Sequence, residues 1–280
     1  MSSRISKILF LSFCLLFSCT IDHGLEPIRS KIGGTVQFVG TQNPFITDEV
    51  RVAVVPKFPP RTINELLFSD IIWANRDTLP ADPRPWEIYL PPGSYDIVAV
   101  IWKANNQSWN ISDIIGVYGG TFIGDQLIPP FPFRPIVVPE KNSVIDTLHI
   151  VANLDRVNRD TLIQGRVQFL GPWPPNTGVV GIGAFSEVPQ KGNLLDYFFK
   201  NVALDYSIPP FVSSYLYRLR IRSTQHIRYV AVLWMNNAFD LNSMREIGFY
   251  QNPSDSTQPG EIQPKTGPYQ AIDITVHFSK

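Results

Sequence analysis

The chain carries the same apolar run twice. "VAVIW" begins at Val98, and "VAVLW" begins at Val230, 132 residues later. Successive side chains of a strand point to opposite faces, so both faces of each run are apolar. A sandwich strand normally exposes one polar face to water. We therefore predict that Trp102 and Trp234 are buried, and that a second layer covers each strand: either the segments 57–85 and 190–208, or the other copy.

The repeat extends far beyond these two runs. "GTVQFVG" from Gly34 corresponds to "GRVQFLG" from Gly165, and "VRVAVVP" from Val50 corresponds to "VVGIGAF" from Val179. The order of the matching segments is kept, and the offsets stay near 130 residues. A unit of this length indicates a duplicated domain, because solenoid repeats are only about 20–50 residues long.

Each copy has the pattern of a β-sandwich. Segments such as the one around Val36 and Phe38 alternate apolar and polar residues, and about seven such segments occur per copy, which favours antiparallel strands. The 25 prolines disfavour long helices. We predict an all-β chain with two tandem Greek-key β-sandwich domains of about seven strands each, with short helices in the longer loops. The predicted domains are residues 32–154 and 161–280, joined by a linker at 155–160.

The N-terminus has the pattern of an export signal. Arg4 and Lys7 precede a ten-residue apolar run, which is shorter than the roughly 20 residues that a membrane-spanning helix needs. The run ends in Leu-Phe-Ser-Cys, which resembles a bacterial lipobox. That resemblance implies a signal peptide at 1–18, lipidation of Cys19, and a lipidated cysteine with its tether at 19–31. An ordinary secretory signal with an incidental cysteine is the alternative.

The residues that remain after removal of the predicted signal give no support to several classes of function. Removal of residues 1–18 leaves 22 basic and 24 acidic side chains, a balance that gives no reason to expect nucleic acid as a partner. Cys14 leaves with the signal and Cys19 carries lipid, so no thiol is left for catalysis. The four histidines lack metal-ligand spacing, and no nucleophile or phosphate-loop motif occurs. We predict no catalytic residue, no metal and no cofactor; a hydrolase with scattered carboxylates is the remaining enzymatic alternative.

One hairpin carries a family resemblance. "WEIYLPPGSYDIVAV" from Trp86 is similar to the signature of carboxypeptidase-regulatory-like, or transthyretin-like (prealbumin-like), sandwich domains. Pro91 and Gly93 suit a tight turn, since proline fixes φ and glycine permits positive φ. The second copy has Ser-Thr-Gln-His from Ser223 instead, and must turn differently. The resemblance implies a fold used for docking and ligand display rather than catalysis.

An arginine stripe is the first candidate site. Arg218, Arg220 and Arg222 alternate with apolar residues, which places all three on one face of a strand. Guanidinium groups bind carboxylates well, so the stripe is typical of a site for anions or acidic glycans. The alternative is a solvated face that pairs with acidic residues on a neighbouring strand.

The segment "WKANNQSWN" is the second candidate site. Trp109 could stack on a sugar ring while Asn105, Asn106 and Asn110 bond its hydroxyls, which predicts an exposed Trp109 beside a groove. In the alternative, the asparagines only shape the turn after the strand that ends near Trp102.

The junction "NLDRVNRD" supplies side-chain oxygens that could hold Ca²⁺ between the domains: Asn153, Asp155, Asn158 and Asp160. Arg156 and Arg159 stand among them and oppose a cation. We therefore favour a hydrated linker over a metal site.

These observations together predict a non-enzymatic lipoprotein of the cell envelope. We expect a binding or scaffold module at the outer membrane, because Thr20 after the lipobox cysteine is not the aspartate that retains some lipoproteins in the inner membrane. Its partners would be the membrane through the lipid anchor, and an envelope protein or a glycan, with no nucleic acid. A glycan-binding surface lipoprotein is the alternative; the face of the membrane stays open.

Overall fold

A computed structural model describes most of the chain beyond residue 29. The described residues are 30–41, 48–60, 65–74, 82–104, 107–124, 126–130, 132–139, 142–237, 240–263, 267–269 and 271–278. They form an all-β fold, as predicted. We call residues 31–153 the first half and residues 161–277 the second half.

The strands fall into two sets, one in each half. The first half contains β1 (Lys31–Val39), β2 (Asp48–Val55), β3 (Leu67–Phe68), β4 (Trp73–Ala74), β5 (Arg84–Tyr89), β6 (Gly93–Tyr95), β7 (Ile97–Ala104), β8 (Ile114–Val117), β9 (Thr121–Ile123), β10 (Gln126–Ile128), β11 (Ile136–Val138) and β12 (Val144–Asn153). The second half contains β13 (Thr161–Leu170), β14 (Thr177–Phe185), helix α1 (Leu194–Phe199), β15 (Asn201–Ile208), β16 (Ser214–Ile221), β17 (Tyr229–Asn236), β18 (Arg245–Phe249), β19 (Gln251–Asn252), β20 (Asp255–Pro259) and β21 (Ile274–His277). Single 3₁₀ turns lie at Ile111–Asp113, Leu154–Arg156 and Leu241–Ser243.

Both halves are sandwiches with the same strand order. The order is β12-β1-β5 against β3-β2-β7-β8 in the first half, where β4 also pairs with β2. The order is β16-β13-β21 against β15-β14-β17-β18 in the second half. Corresponding strands occupy corresponding places, and every described sheet draws its strands from one half only. The prediction of two tandem sandwiches is therefore confirmed, whereas the boundaries of the domains stay a prediction.

One pairing differs from the antiparallel arrangement that the sequence pattern predicted. In each half the first strand runs parallel to the last: β1 pairs with β12, and β13 pairs with β21. The neighbouring backbone approaches very closely at Gly34, which lies against β12, and at Gly165, which lies against Ile272 just before β21. A Cβ on Gly34 would lie 1.9 Å from the carbonyl oxygen of Leu148, and a Cβ on Gly165 would lie 2.1 Å from that of Ile272. The repeated glycine therefore has a steric cause, which alternation of polar and apolar residues does not reveal.

The twin apolar runs are the central strands β7 and β17, and both of their tryptophans are buried, as predicted. Trp102 is 6% exposed and Trp234 is 5% exposed, each within the core between the two sheets of its own half. The opposite face of β7 packs in a separate cluster with Phe198 and Phe199 of α1.

The layer that covers these outer faces comes from both predicted sources. Phe58, in a loop of the first half, contacts Phe198 edge to face at a centroid distance of 4.9 Å. On the other side of α1, Tyr197 packs with Leu233 on the outer face of β17. Segment 190–208 thus provides the predicted short helix, followed by β15. The described residues of 57–85 instead contain the short strands β3 and β4.

The two halves turn differently before their central strands, as predicted. In the first half the hydroxyl of Tyr95 donates to the carbonyl oxygen of Pro91 at 2.7 Å and closes the Pro-Pro-Gly turn. In the second half the carboxylate of Asp160 accepts from the backbone N–H and the hydroxyl of Ser223, both at 2.7 Å. A residue of the junction therefore stabilises the turn that lacks proline.

Candidate functional site

A groove of about 990 Å³ lies at the junction of the two halves. Four segments line it: the loop that follows β7, the segment between the halves, and the strands β15 and β16. We call it the junction groove. It brings Trp109 and Asn110 from the first half together with Arg218 and Arg220 from the second, although the two pairs are more than 100 residues apart in the sequence.

Two edge strands form one side of the junction groove. β15 is an edge of the four-stranded sheet, and β16 is an edge of the three-stranded sheet that faces it. The hydroxyls of Ser207 on β15 and Tyr215 on β16 lie 2.9 Å apart and join the two edges. The open side of the second sandwich therefore becomes a wall of the groove.

Asn110 fixes the loop of the first half against this wall. Its side-chain oxygen accepts from the backbone N–H of Ser112 at 2.9 Å and caps the 3₁₀ turn Ile111–Asp113. Its side-chain NH₂ donates to the carbonyl oxygen of Leu204 on β15 at 2.8 Å. The amide is thus committed to the contact between the halves, so it supports the groove rather than offering a free group to a ligand.

A buried ion pair attaches the segment between the halves to the same loop. The guanidinium of Arg159 lies 2.8 Å from the carboxylate of Asp113 and donates to the carbonyl oxygen of Ser112 at 3.0 Å. Burial raises the pKa of the Asp113 carboxyl above its ordinary value, and the nearby Arg159 opposes that rise. Arg156 donates to the carbonyl oxygen of Ile114 at 2.9 Å, and burial lowers its pKa to about 10. These contacts make the junction a packed element rather than the hydrated linker favoured from the sequence.

Arg218 and Arg220 are exposed residues that line the junction groove. Both lie on the outer face of β16, and the residues paired with them on β13 are Gln164 and Leu162. No described carboxylate lies within salt-bridge distance of either arginine. The alternative of a stripe neutralised by acidic residues on the neighbouring strand therefore does not fit these two arginines.

Arg222 does not belong to this face, which corrects the expectation of a three-residue stripe. β16 ends at Ile221, so the alternation that places Arg218 and Arg220 outward no longer holds at the next residue. Arg222 is 9% exposed, and its guanidinium donates to the side-chain oxygen of Gln225. Burial lowers its pKa to about 10.

Trp109 lines the groove but is only half exposed. Its indole stacks on Phe68, with a centroid distance of 5.1 Å and an interplanar angle of 17°. The ammonium of Lys103 lies 4.9 Å from the centroid of the same ring and also pairs with Glu49 at 2.7 Å. The predicted position beside a groove is found, but part of the ring surface already contacts the protein itself.

Three candidate residues fall outside the described part of the chain, and others have structural partners. Cys19, Asn105 and Asn106 lie outside the described residues. At the junction, Asp155 accepts from the backbone N–H of Thr41 at 2.8 Å, and Asn153 caps the 3₁₀ turn that follows it. Within the described ranges no group of three histidine, cysteine, aspartate or glutamate side chains is placed to hold a metal ion.

Sequence reasoning did not identify the contribution of β15. Asp205, Tyr206 and Ser207 line the junction groove, and Tyr206 and Ser207 are exposed. Asp205 accepts from the backbone N–H of Ser207 at 2.8 Å. No local pattern in the sequence indicated which loop of the first half would lie opposite this strand.

Comparisons with known proteins provide no family for this chain. No family model matches it, and no curated protein matches it. Among solved structures, it is similar to a leucine-rich repeat protein from Bacteroides thetaiotaomicron, with a TM-score of 0.30 and 10% identity, over 89% of this chain and 27% of that one. It is also similar to a candidate adhesin from Bacteroides ovatus, with a TM-score of 0.24 and 12% identity, over 91% of this chain and 93% of that one. A candidate cell adhesion protein from Bacteroides fragilis has a TM-score of 0.23 and 10% identity, over 91% of this chain and 94% of that one. These scores are too low to establish a shared fold, so the fold and the site rest on the residues of this chain.

Proposed function

We propose that this protein is a non-enzymatic, lipid-anchored module of the cell envelope that binds a ligand in the junction groove. One observation carries the proposal: exposed polar and aromatic side chains from both halves line the groove, and hydrogen bonds and an ion pair hold in place the segments that carry them. Large, well-formed concave sites with a few convergent polar groups are the usual places for ligands.

The contacts around the groove support a rigid binding site. The amide of Asn110 ties the loop of the first half to β15, and the ion pair of Arg159 with Asp113 ties the segment between the halves to the same loop. A preformed site loses less conformational entropy when the ligand binds, and therefore binds more tightly for the same contacts.

The same contacts favour binding over catalysis. The two carboxylates that line the groove are already engaged, Asp113 with Arg159 and Asp205 with the backbone of Ser207. A pair of carboxylates for glycoside hydrolysis would need to face the substrate from both sides.

The proposed anchor rests on the sequence. The lipobox-like residues before Cys19 support lipidation, and several acyl chains hold a protein stably to a membrane whereas one chain does so only marginally. In the described part of the chain, no helix is long and apolar enough to cross a membrane. Location at the outer membrane, with an envelope protein or a glycan as the ligand, is part of the same proposal.

A binding experiment with a chain that starts at residue 20 tests whether the groove is the ligand site. The protein is immobilised, soluble envelope fractions of the source organism are passed over it, and bound polysaccharide and protein are quantified. We expect Ser108→Trp to abolish retention, because Ser108 is exposed on the loop that lines the groove. The matched control Ser254→Trp adds the same ring at an exposed position outside the groove and should retain as much as the unaltered chain. Equal retention by both variants would exclude the groove as the site.

Membrane fractionation of cells tests the anchor separately. We expect Cys19→Ala to move the protein from the membrane to the soluble fraction. Retention by the released protein should persist, because Cys19 is remote in sequence from the groove residues. Unchanged fractionation would exclude lipidation at Cys19.

A further inference from the structure

Two arginines of the junction groove have outward side chains whose role the fold does not explain. Arg218 and Arg220 occupy alternate positions of β16, so their Cα atoms are roughly 7 Å apart on one face. Both are exposed, and the described residues supply no carboxylate to either. Two like charges this close repel each other, and an anionic ligand would relieve that repulsion.

The rest of the lining matches a saccharide. Trp109 and Tyr206 contribute aromatic surface, while Gln107, Ser108 and Ser207 contribute exposed amide and hydroxyl groups. Aromatic surface packs against the apolar face of a sugar ring, and amides and hydroxyls can both donate to and accept from sugar hydroxyls. A groove of about 990 Å³ accommodates several sugar units.

We propose that the junction groove binds an anionic saccharide, a glycan that carries carboxylate or sulfate groups. This inference rests on the proposed function, because it names the ligand of the same groove. Arg218 and Arg220 hold the acidic groups through bidentate, charge-assisted hydrogen bonds. Trp109, on the loop that Asn110 fixes, contacts a neighbouring sugar ring.

An acidic peptide that adds a strand to the sheet fits less well. Such a peptide needs free backbone groups along an exposed edge. On β15 the carbonyl oxygen of Leu204 already accepts from Asn110, and the 3₁₀ turn Ile111–Asp113 packs against the strand. The edge of β16 lies against β15, and the hydroxyls of Tyr215 and Ser207 join the two edges. The contacts of both edges therefore favour recognition through side chains.

Titration calorimetry with defined polymers tests this inference. The probes are oligogalacturonate, which carries carboxylates, heparin, which carries sulfates, neutral dextran, and poly-glutamate as the acidic peptide. We expect the chain from residue 20 onward to bind at least one of the two acidic saccharides and neither dextran nor poly-glutamate. Affinity should fall as salt rises, because the charges involved are exposed.

Substitution of the two arginines identifies the residues responsible. We expect Arg218→Ala with Arg220→Ala to weaken binding by about 100-fold, since each lost charge-assisted contact is worth about tenfold. Arg218→Lys with Arg220→Lys should bind with intermediate affinity, because lysine keeps the charge but not the fork. The matched control is Arg166→Ala with Arg228→Ala, which removes two exposed guanidinium groups outside the groove lining and should bind as the unaltered chain does.

The outcomes separate this inference from the proposed function. If Ser108→Trp abolishes retention of envelope material but the double alanine variant at Arg218 and Arg220 binds normally, the saccharide inference is wrong and the binding groove stands. Binding of poly-glutamate or dextran as tight as that of the acidic saccharides would overturn it, as would binding of none of the four. Normal retention by Ser108→Trp would instead overturn the proposed function.

Discussion

The guanidinium of Arg159 lies 2.8 Å from a carboxylate oxygen of Asp113, and the two side chains are 15% and 9% exposed. Arg159 belongs to the segment between the halves. Asp113 is the last residue of the 3₁₀ turn Ile111–Asp113, which Asn110 caps and which belongs to the loop that follows β7. The pair therefore fixes the segment between the halves against the first half, where both residues line the groove. Its hydrogen bonds to Ser112 complete the contact.

Arg159→Met should destabilise the protein because it leaves the Asp113 carboxylate buried without its partner. We expect the free energy of unfolding to fall by about 3 kcal/mol, a typical cost of removing one member of a buried pair. Addition of Asp113→Asn to that variant should recover part of the loss, since the unpaired charge disappears. Urea unfolding followed by tryptophan fluorescence measures both. A second substitution that brings no recovery would show that the charge is not the cause.

Asn110→Ala should cost about 1–2 kcal/mol, because it removes both a cap and a hydrogen bond between the halves. Asn110→Ser keeps a capping oxygen and should be less destabilising. If the amide only supports the groove, the serine variant should retain ligand nearly as well as the unaltered chain. A serine variant that folds normally but fails to bind would assign Asn110 a direct contact with the ligand. Urea unfolding measures the stability of each variant, and titration calorimetry measures its ligand binding.

Phe198→Ala should loosen the contact between the halves. Phe198 is 6% exposed and packs against Phe58, so its truncation should cost about 3–5 kcal/mol. We also expect faster proteolytic cleavage between residues 155 and 160, measured by limited proteolysis and mass spectrometry. The matched control is Phe211→Ala, since Phe211 is 60% exposed and its truncation should change stability by less than about 1 kcal/mol. Equal effects of the two substitutions would contradict the packing role of α1.

Gly34→Ala and Gly165→Ala should each destabilise the chain, although alanine is a small residue. The new methyl group would overlap the carbonyl of Leu148 in β12 or that of Ile272 just before β21, and overpacking of this kind costs roughly 1–3 kcal/mol. Gly93→Ala is the control, because the nearest atom to its Cβ would lie 3.9 Å away. Thermal unfolding measures the stability of the three variants. A neutral Gly165→Ala would show that β13 and the segment just before β21 can separate at this point.

Asp160→Asn should change how stability depends on pH. Burial of the carboxyl favours a higher pKa, but the hydrogen bonds from Ser223 outweigh it and lower the pKa below the ordinary value of 3.8. A carboxyl with a lowered pKa stabilises the fold fully above pH 3.8, and this contribution disappears as the pH falls through the folded-state value. The difference in unfolding midpoint between the unaltered chain and the variant should therefore be largest near neutral pH and shrink in acid. A difference that is independent of pH would contradict this origin.

The local pattern of the sequence was sufficient for the strands and for the burial of the twin tryptophans. Apolar residues on both faces of "VAVIW" and "VAVLW" can only be shielded from water by layers on both sides, so burial follows from the sequence alone. The exposed positions of Arg218 and Arg220 also follow, because side chains alternate along a strand. Arg222 was misplaced because periodicity applies only inside a strand, and the pattern did not reveal that β16 ends at Ile221.

The sequence by itself determined that this chain is a duplicated all-β protein, because a period of two and a repeat of the same segments are local properties of the residues. Only the tertiary structure decided that Trp109 and Arg218 line one groove, that Asn110 supports the groove through Leu204, and that the outer face of β7 packs against Phe198. These contacts join residues that are separated by about 90 or more positions. Their geometry depends on how two sandwiches pack, which no short pattern of residues encodes.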